Sequence, residues 1–292
     1  MKKLLATGLV FAMALSMCNI SALAVPATQY AADGTLILDK YPDMPGVAEK
    51  QAMATIYSEY LKGGATKSEV SNALEAFYNA VGDTEASGNV GHESLFNIPS
   101  NNSVSTNTIT PRTVTPYNKS ITGFTQFPQE NGYYCGPATA KEILYSLLGT
   151  SYAQSTMATS LGTTTSGTAW YTNTYPMANT LNSYANTTWY VAASAPNVNT
   201  LKNDVVTDIS NDHGVAANFN ISSTAPTRPT GYPIRAIQHW VAIYGYVSSG
   251  STIKWADPAY NGAGVTWNLP SGYLSDSADN IVTYINTRGI IW

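Results

Sequence analysis

Four polar residues in the second half of the chain have the side chains that acyl-transfer chemistry needs: Gln129, Cys135, His239 and Asp257. A thiolate attacks a carbonyl carbon, an imidazole moves protons, a carboxylate orients the imidazole, and an amide N–H stabilises the oxyanion. Taken singly, each residue has an ordinary structural interpretation, since a lone cysteine is usually a small buried side chain. Together they supply a nucleophile, a base, an orienting group and an oxyanion donor.

Cys135 lies at the predicted N-terminus of a helix. Pro137 suits the first turn of this helix, and Gly149 suits its C-terminal stop. Unpaired backbone N–H groups and the helix dipole favour a thiolate there, so we expect a thiol pKa below the roughly 8.5 of a free cysteine. Gln129 is one short loop upstream, and Gly136 allows backbone to approach the sulfur closely. One apolar helical face supports this prediction and comprises Ala140, Ile143, Leu144, Leu147 and Leu148.

A predicted β-hairpin brings His239 and Asp257 together. Its first strand, 239–247, is β-branched and aromatic, and a Ser/Gly turn separates it from a partner strand at 253–257. If Val247 pairs with Thr252, His239 faces a position near 260, and a tighter turn moves that partner towards 257. Asp257 is therefore expected close enough to hold the imidazole in the orientation that takes a proton from a thiol.

Length and composition limit the possible classes of protein. The chain has 292 residues and is 44% hydrophobic, which suffices for one sizeable core and a smaller unit. Its net charge is −4 and its basic residues are not clustered, so we expect no nucleic-acid or anionic-membrane partner. The histidines lack ligand spacing, so we expect no metal and no cofactor.

The first 24 residues have the three parts of a secretory signal peptide, namely a basic start, a short apolar run and a small-residue end. We expect cleavage after Ala24 and a secreted or cell-envelope protein without a membrane span. Cleavage removes Cys18 and leaves Cys135 as the single thiol, which excludes an internal disulfide. A lipid-modified Cys18 is the alternative, and Met17 fits it poorly.

Residues 25–83 predict a helical hairpin. The first helix ends at Gly63, and the second begins with the capping-box pair Thr66 and Glu69. Two helices bury too little surface to be stable alone, so we expect them to dock on the rest of the chain. Residues 84–117 are rich in Ser, Asn, Thr and Pro and predict a linker. The hairpin is therefore either an inhibitory pro-segment or a permanent accessory unit.

Residues 118–292 predict one α+β domain, because helical patterns come first and strand patterns follow. His92, in the linker, and His213, at a turn, are assigned to loops. The expected helices after the Cys135 helix lie near 155–163, 175–184 and 201–209, and the expected antiparallel strands lie at 215–219, 239–247, 253–257, 265–269 and 281–285.

Three separated motifs resemble the bacteriocin-processing cysteine peptidases, which cut double-glycine leaders, and their standalone secreted relatives in the papain-like superfamily. The motifs are Gln129 to Ala138, His239-Trp-Val leading into Gly245-Tyr246, and Asp257-Pro258. The resemblance covers about 120 to 260 and implies a bacterial papain-like fold with a catalytic helix followed by an antiparallel sheet.

The resemblance also implies roles for individual residues. It makes Cys135 the nucleophile, His239 the general base and acid, Asp257 the orienting group and Gln129 the oxyanion donor, with Gln126 a weaker candidate for that last role. Leader-trimming members are fused to membrane spans and an ATPase, and this sequence has neither the spans nor a phosphate-binding Gly-x-x-x-x-Gly-Lys motif. A standalone secreted peptidase acting on peptides or proteins is the better fit.

Two other classes of function remain open. The same four groups would serve an amidase or transpeptidase acting on cell-wall peptides. The domain could also be a non-catalytic binding module that kept the fold, in which case the Cys135 thiol would be unreactive at neutral pH.

Overall fold

A computed structural model of the chain describes residues 41–89 and 117–292. The predicted signal peptide with Ala24 and Cys18, His92, and most of the predicted linker lie outside the described residues. No helix in the described ranges has the length and apolar character to cross a membrane.

The described residues form helices and one antiparallel sheet, as predicted. The helices are α1 (Val47–Leu61), α2 (Lys67–Ala80), α3 (Thr84–Asn89), α4 (Cys135–Leu148), α5 (Gln154–Ser160), α6 (Pro176–Ala185), α7 (Val198–Ser210) and α8 (Ala278–Tyr284). The strands are β1 (Lys119–Ser120), β2 (Ala192–Ser194), β3 (Val215–Ile221), β4 (Ile237–Val247), β5 (Thr252–Ala256), β6 (Tyr273–Ser277) and β7 (Gly289–Ile291).

The sheet has the strand order β2-β7-β3-β4-β5-β6, and every pairing in it is antiparallel. The short strand β1 pairs with the end of β4 beyond its contact with β3. Burial runs almost without interruption along β3 and β4, so both faces of the sheet centre are covered. The helices α4, α7 and α8 pack there and complete the core.

Helix α4 begins and ends where its sequence pattern predicted. Its apolar face is fully buried at Ala140, Ile143 and Leu144. Gly149 ends the helix in the left-handed conformation, with φ 68°, which a residue with a side chain adopts only at an energetic cost. The helix therefore presents Cys135 at its N-terminus, against β4.

The predicted helical hairpin is present as α1 and α2. Thr66 and Glu69 form the expected capping box at the start of α2, and the Phe77 ring meets the edge of the Trp189 ring at 5.9 Å. The hairpin docks on α7, as the size argument predicted. Helix α3 occupies the start of the segment predicted as linker, because Asp83 accepts a hydrogen bond from the Ala86 N–H at 2.9 Å and so caps this helix.

Two predicted strands are wrong. Residues 281–285 fall largely within helix α8, which is capped by a hydrogen bond from the Asn280 N–H to the Ser277 side chain. The β-branched composition of this segment therefore predicted the wrong structure. Residues 265–269 form a loop that ends before Pro270, and its Trp267 ring packs on the His239 ring at 4.8 Å instead of joining the sheet. Strand β6 lies between these segments and was not predicted.

Candidate active site

The hairpin of β4 and β5 sets the position of His239. Val247 pairs with Thr252, as predicted, and a bulge at Tyr244 then shifts the register by one residue. The pairing of β4 with β5 stops at Ala256, and Asp257 is the next residue of the chain. Beyond this point β4 still pairs with β3, and His239 lies in that part of β4. The expected proximity of the two residues is confirmed, with His239 Nε2 lying 2.8 Å from Asp257 Oδ1.

Asp257 is fully buried and has a partner for each oxygen. Oδ1 also accepts a hydrogen bond from the Ala259 N–H at 3.0 Å, and Oδ2 accepts one from the Tyr232 hydroxyl at 2.5 Å. Burial raises the pKa of this carboxyl, but the charge and hydrogen bond of His239, together with the hydrogen bonds from Tyr232 and Ala259, outweigh burial and the net pKa is lowered. Asp257 is therefore a carboxylate held in one orientation, with Nε2 of the imidazole against it.

His239 is stabilised as an imidazolium. Burial lowers its pKa, but the charge and hydrogen bond of Asp257, joined by those of Cys135, raise the net pKa to about 10. Because Nε2 faces the carboxylate, Nδ1 is the nitrogen left for the thiol. The edge of the ring also meets Trp267, which restricts the tilt of the imidazole.

The Cys135 thiol lies at the first residue of α4 and is 9% exposed. Burial raises its pKa, whereas a hydrogen bond and charge interaction with His239 and backbone hydrogen bonds from Trp240 and Gly136 lower it, and the net pKa is below the ordinary value. The Tyr134 side chain makes no capping hydrogen bond, and the Gly136 N–H is the first-turn group that interacts with the thiol.

The two glutamines have different surroundings. Gln129 is 3% exposed, and its backbone N–H donates to the Pro258 carbonyl at 2.8 Å, which ties it to the loop after Asp257. Its side-chain N–H donates to the Asn131 carbonyl at 2.6 Å, and the side chain lines a cavity together with Cys135. The Gln126 side chain instead donates to the Asp257 carbonyl at 3.0 Å and supports the loop.

Cys135 borders two cavities. The first, of about 210 Å³, is also lined by Gln129, His239 and Trp267. The second, of about 380 Å³, lies beside the loop that contains Thr168 and is also lined by Trp170, Trp240 and Arg288. An extended ligand that occupies both cavities would therefore pass next to the Cys135 thiol.

Gly136 allows the loop that contains Thr168 to approach closely beside the Cys135 thiol. A side-chain Cβ at this position would lie 2.2 Å from Thr168 Oγ1 and 2.6 Å from Thr168 Cβ. Because a Cβ atom is fixed by the backbone, even an alanine at this position would clash with Thr168. The Trp240 indole N–H donates to the Thr168 carbonyl at 3.0 Å and holds the loop in place. The glycine is thus needed for close packing next to Cys135.

Three residues of the site have no sequence signal that would have found them: Tyr232, Trp267 and Thr168. Tyr232 and Thr168 lie in Gly/Pro/Thr-rich loops, and Trp267 lies in the segment wrongly predicted as a strand. Within residues 41–89 and 117–292, no cluster of three His, Cys, Asp or Glu side chains could hold a metal ion.

A model of the peptidase C39 like family matches residues 118–289, which is more than half of the chain. The chain belongs to this family. All four residues singled out in the sequence lie inside the matched part of this C39-like chain. Membership confirms the motif resemblance and the papain-like α+β fold, and it supports a peptidase. No curated protein sequence matches the chain.

Proposed function

We propose that the chain is a cysteine peptidase in which Cys135 attacks the peptide carbonyl, His239 transfers the protons and Asp257 orients His239. One observation carries the proposal: His239 hydrogen-bonds the buried Asp257 carboxylate at 2.8 Å and interacts with the Cys135 thiol, which lies at a helix N-terminus. The opposite pKa shifts of Cys135 and His239 favour a thiolate and an imidazolium, which is the reactive form of such a pair.

In the first half of the reaction the thiolate attacks the scissile carbonyl carbon and forms a tetrahedral oxyanion. The Cys135 N–H at the helix start and the Gln129 side-chain N–H are the proposed donors to this oxyanion, and Gln129 would exchange its hydrogen bond with the Asn131 carbonyl for one with the substrate. His239 then gives its proton to the departing amine, which leaves a thioester on Cys135.

In the second half, His239 takes a proton from water, which attacks the thioester and releases the acid. We propose a peptide or protein segment as the substrate, because the two cavities beside Cys135 offer contacts on both sides of a scissile bond. The predicted signal peptide supports a location outside the cytoplasm.

The test compares the purified wild-type chain with Cys135→Ala and Cys135→Ser variants on two substrate sets, a broad mixture of linear peptides and a set of cell-wall peptide fragments. We expect new peptide N-termini with the wild type only, and a loss of kcat on the order of 10⁴-fold or more in both variants. Thermal unfolding of all three proteins serves as the control for folding.

Each other outcome contradicts the proposal in a defined way. Turnover of wall fragments alone, or transfer of the acyl group to an added amine in preference to water, would indicate an amidase or transpeptidase. A folded wild type with no turnover of either set would indicate a binding module.

A further inference from the structure

A lysine from the helical hairpin is buried inside the main domain. Lys50, in the first turn of α1, has no exposed surface, and its Nζ donates to the Trp189 carbonyl at 2.8 Å. The same nitrogen lies over the Trp189 ring at 4.1 Å and over the Trp292 ring at 4.4 Å. A lysine is almost never fully buried without a compensating partner, so its surroundings require an explanation.

One carboxyl group of α7 contacts this nitrogen, and a second interacts with it electrostatically. Asp208 Oδ1 lies 3.3 Å from Lys50 Nζ and accepts a hydrogen bond from the Trp189 indole N–H at 3.1 Å. Asp204 lies one helical turn earlier and interacts electrostatically with both Lys50 and Asp208. All three side chains are fully or almost fully buried.

This cluster is poorly satisfied as a set of ions. Asp208 Oδ2 and both oxygens of Asp204 have no hydrogen-bond partner among the described residues. Burying a charge is costly unless it is paired and hydrogen-bonded, and here one cation faces two carboxyl groups with three unpartnered oxygens. An ion pair built for stability would leave fewer of these atoms unsatisfied.

We propose that Lys50 and Asp208 form an intramolecular amide bond, with Asp204 carrying the protons of the condensation. The groups that an amide needs are in place around the two side chains. The Trp189 carbonyl already accepts from Nζ and would accept from the amide N–H. The Trp189 indole N–H already donates to Asp208 Oδ1, which would become the amide oxygen, and the unpartnered Oδ2 is the oxygen that departs.

The reaction consumes no other reagent. A proton passes from the ammonium of Lys50 to Asp208, which gives a neutral amine and a neutral carboxylic acid. The Nζ lone pair then attacks Asp208 Cγ, and the Cγ–Oδ2 bond breaks. Neutral Asp204 gives its proton to the departing hydroxyl and takes one from the nitrogen, so one water leaves and Asp204 is unchanged.

Burial shifts the pKa values of the amine and of both carboxyl groups, with that of Asp208 raised to about 6, towards the neutral forms that this reaction needs. Burial lowers the pKa of Lys50 to about 8, against the opposing effect of Asp208, and burial raises the pKa of Asp204 well above its ordinary value. Fixed contact between the amine and the carboxyl replaces a bimolecular encounter. The product has no buried charge, which removes the penalty that the ion pair carries.

The test is a tryptic digest of the denatured, purified full chain, read by mass spectrometry. Trypsin does not cleave after a lysine whose amine is acylated, so we expect residues 41–62 joined to residues 203–235, with a mass one water below the sum of the two peptides. Cleavage after Lys50 in essentially all of the natively purified chain would overturn the proposal.

A surface pair in the same hairpin is the matched control. Lys62 Nζ lies 2.9 Å from Glu59 Oε1, closer than Lys50 lies to Asp208, but both side chains are about half exposed. We expect no bond there, since water stabilises both charges. A bond at Lys62 would show that contact alone suffices and that burial is not the cause.

Two variants test the roles of the groups. In Asp204→Asn we expect a folded chain that is cleaved after Lys50, because the proton carrier is gone while the shape is kept. A linked Asp204→Asn chain would overturn the role of Asp204. The Lys50→Arg variant cannot form the amide, so the linked peptide should be absent from its digest. Should this variant fail to fold, the wild-type digest still decides the proposal.

Discussion

The Tyr232 hydroxyl donates to the Asp257 oxygen opposite the one that faces His239. The carboxylate is thereby held between a phenol and an imidazole, with neither oxygen left without a donor. The Tyr232 ring also meets the Trp267 ring at 4.7 Å, so two of the three residues missed in the sequence pack together beside His239 and Asp257.

Tyr232→Phe should lower the stability of the fold. It leaves Asp257 Oδ2 buried without a donor, which costs about 1–3 kcal/mol in the free energy of unfolding, measured by urea titration. Tyr273→Phe is the control, because the Tyr273 hydroxyl donates to the Phe124 carbonyl at 3.1 Å and accepts from the Gln126 N–H at 3.0 Å, but this residue is 44% exposed and water can replace the hydroxyl. Equal losses in the two variants would contradict this account of Asp257.

Alkylation of Cys135 by iodoacetamide should begin at a lower pH than that of a free thiol. The rate follows the thiolate fraction, and the lowered pKa of Cys135 keeps the thiolate present as pH falls. In His239→Ala the hydrogen bond and the charge are gone while burial still raises the pKa, so the profile should move to higher pH. Identical profiles would contradict a coupled Cys135 and His239 pair.

The same pair sets both limits of peptidase activity. Activity should fall at low pH as the thiolate is protonated, and at high pH as the imidazolium, with a pKa of about 10, loses its proton. These limits belong to the coupled pair and not to one residue alone. A profile of kcat/KM against pH, taken beside the alkylation profile, measures both limits.

Substitution of Gln129 and of Gln126 should have different effects on kcat. Gln129→Ala removes a proposed oxyanion donor from the cavity beside Cys135, and we expect kcat to fall about 10²- to 10³-fold with little change in the alkylation profile. Gln126→Ala removes hydrogen bonds to the Asp257 and Tyr260 carbonyls, so it should lower the melting temperature with a smaller effect on kcat. The reverse order of the two kcat losses would assign the oxyanion role to Gln126.

Removing the helical hairpin should unfold the domain and not activate it. A chain that starts at residue 118 lacks Lys50, so the Asp208 carboxyl is left buried with neither an amide nor an ion-pair partner, which costs about 3–5 kcal/mol. It also uncovers the face of α7 on which α1 packs. No residue of α1 or α2 lines either cavity beside Cys135 in the described part of the chain, so we propose a permanent accessory unit.

The decisive measurement is the melting temperature and peptidase activity of the shortened chain beside those of the full chain. The matched controls are Lys50→Met and Lys62→Met, of which only the first removes a buried charge partner. A shortened chain that folds and is more active than the full chain would restore the pro-segment interpretation.

The sequence predicted the Cys135 helix and the His239 hairpin because both depend on local patterns. Helical periodicity placed α4, and a turn between two strands placed His239 near Asp257. The one-residue shift at Tyr244 was not predicted, because a bulge changes the register without a clear signal in composition. The predicted proximity of His239 and Asp257 held despite this shift, because residues at the open end of a hairpin stay close when the register moves by one.

The elements that were missed depend on tertiary contacts. Helix α8 has β-branched residues that favour a strand, and its cap and its packing against β3 override that preference. Lys50 reads as an ordinary helical lysine, since only the folded chain brings Asp208 and Trp189 to it. Tyr232 and Trp267 lie in loops, where spacing carries no information on which side chains meet.

The burial of Lys50 also bears on the order in which the chain folds. Its hydrogen bond to Trp189 joins positions 139 residues apart, and its charge partner Asp208 is farther still. Contacts at such separation carry a large loop-closure entropy, so they form late, whereas the local contacts of α4 form early. We therefore expect the hairpin to dock only after the segment from Trp189 to α7 has folded, as the last step in forming the core.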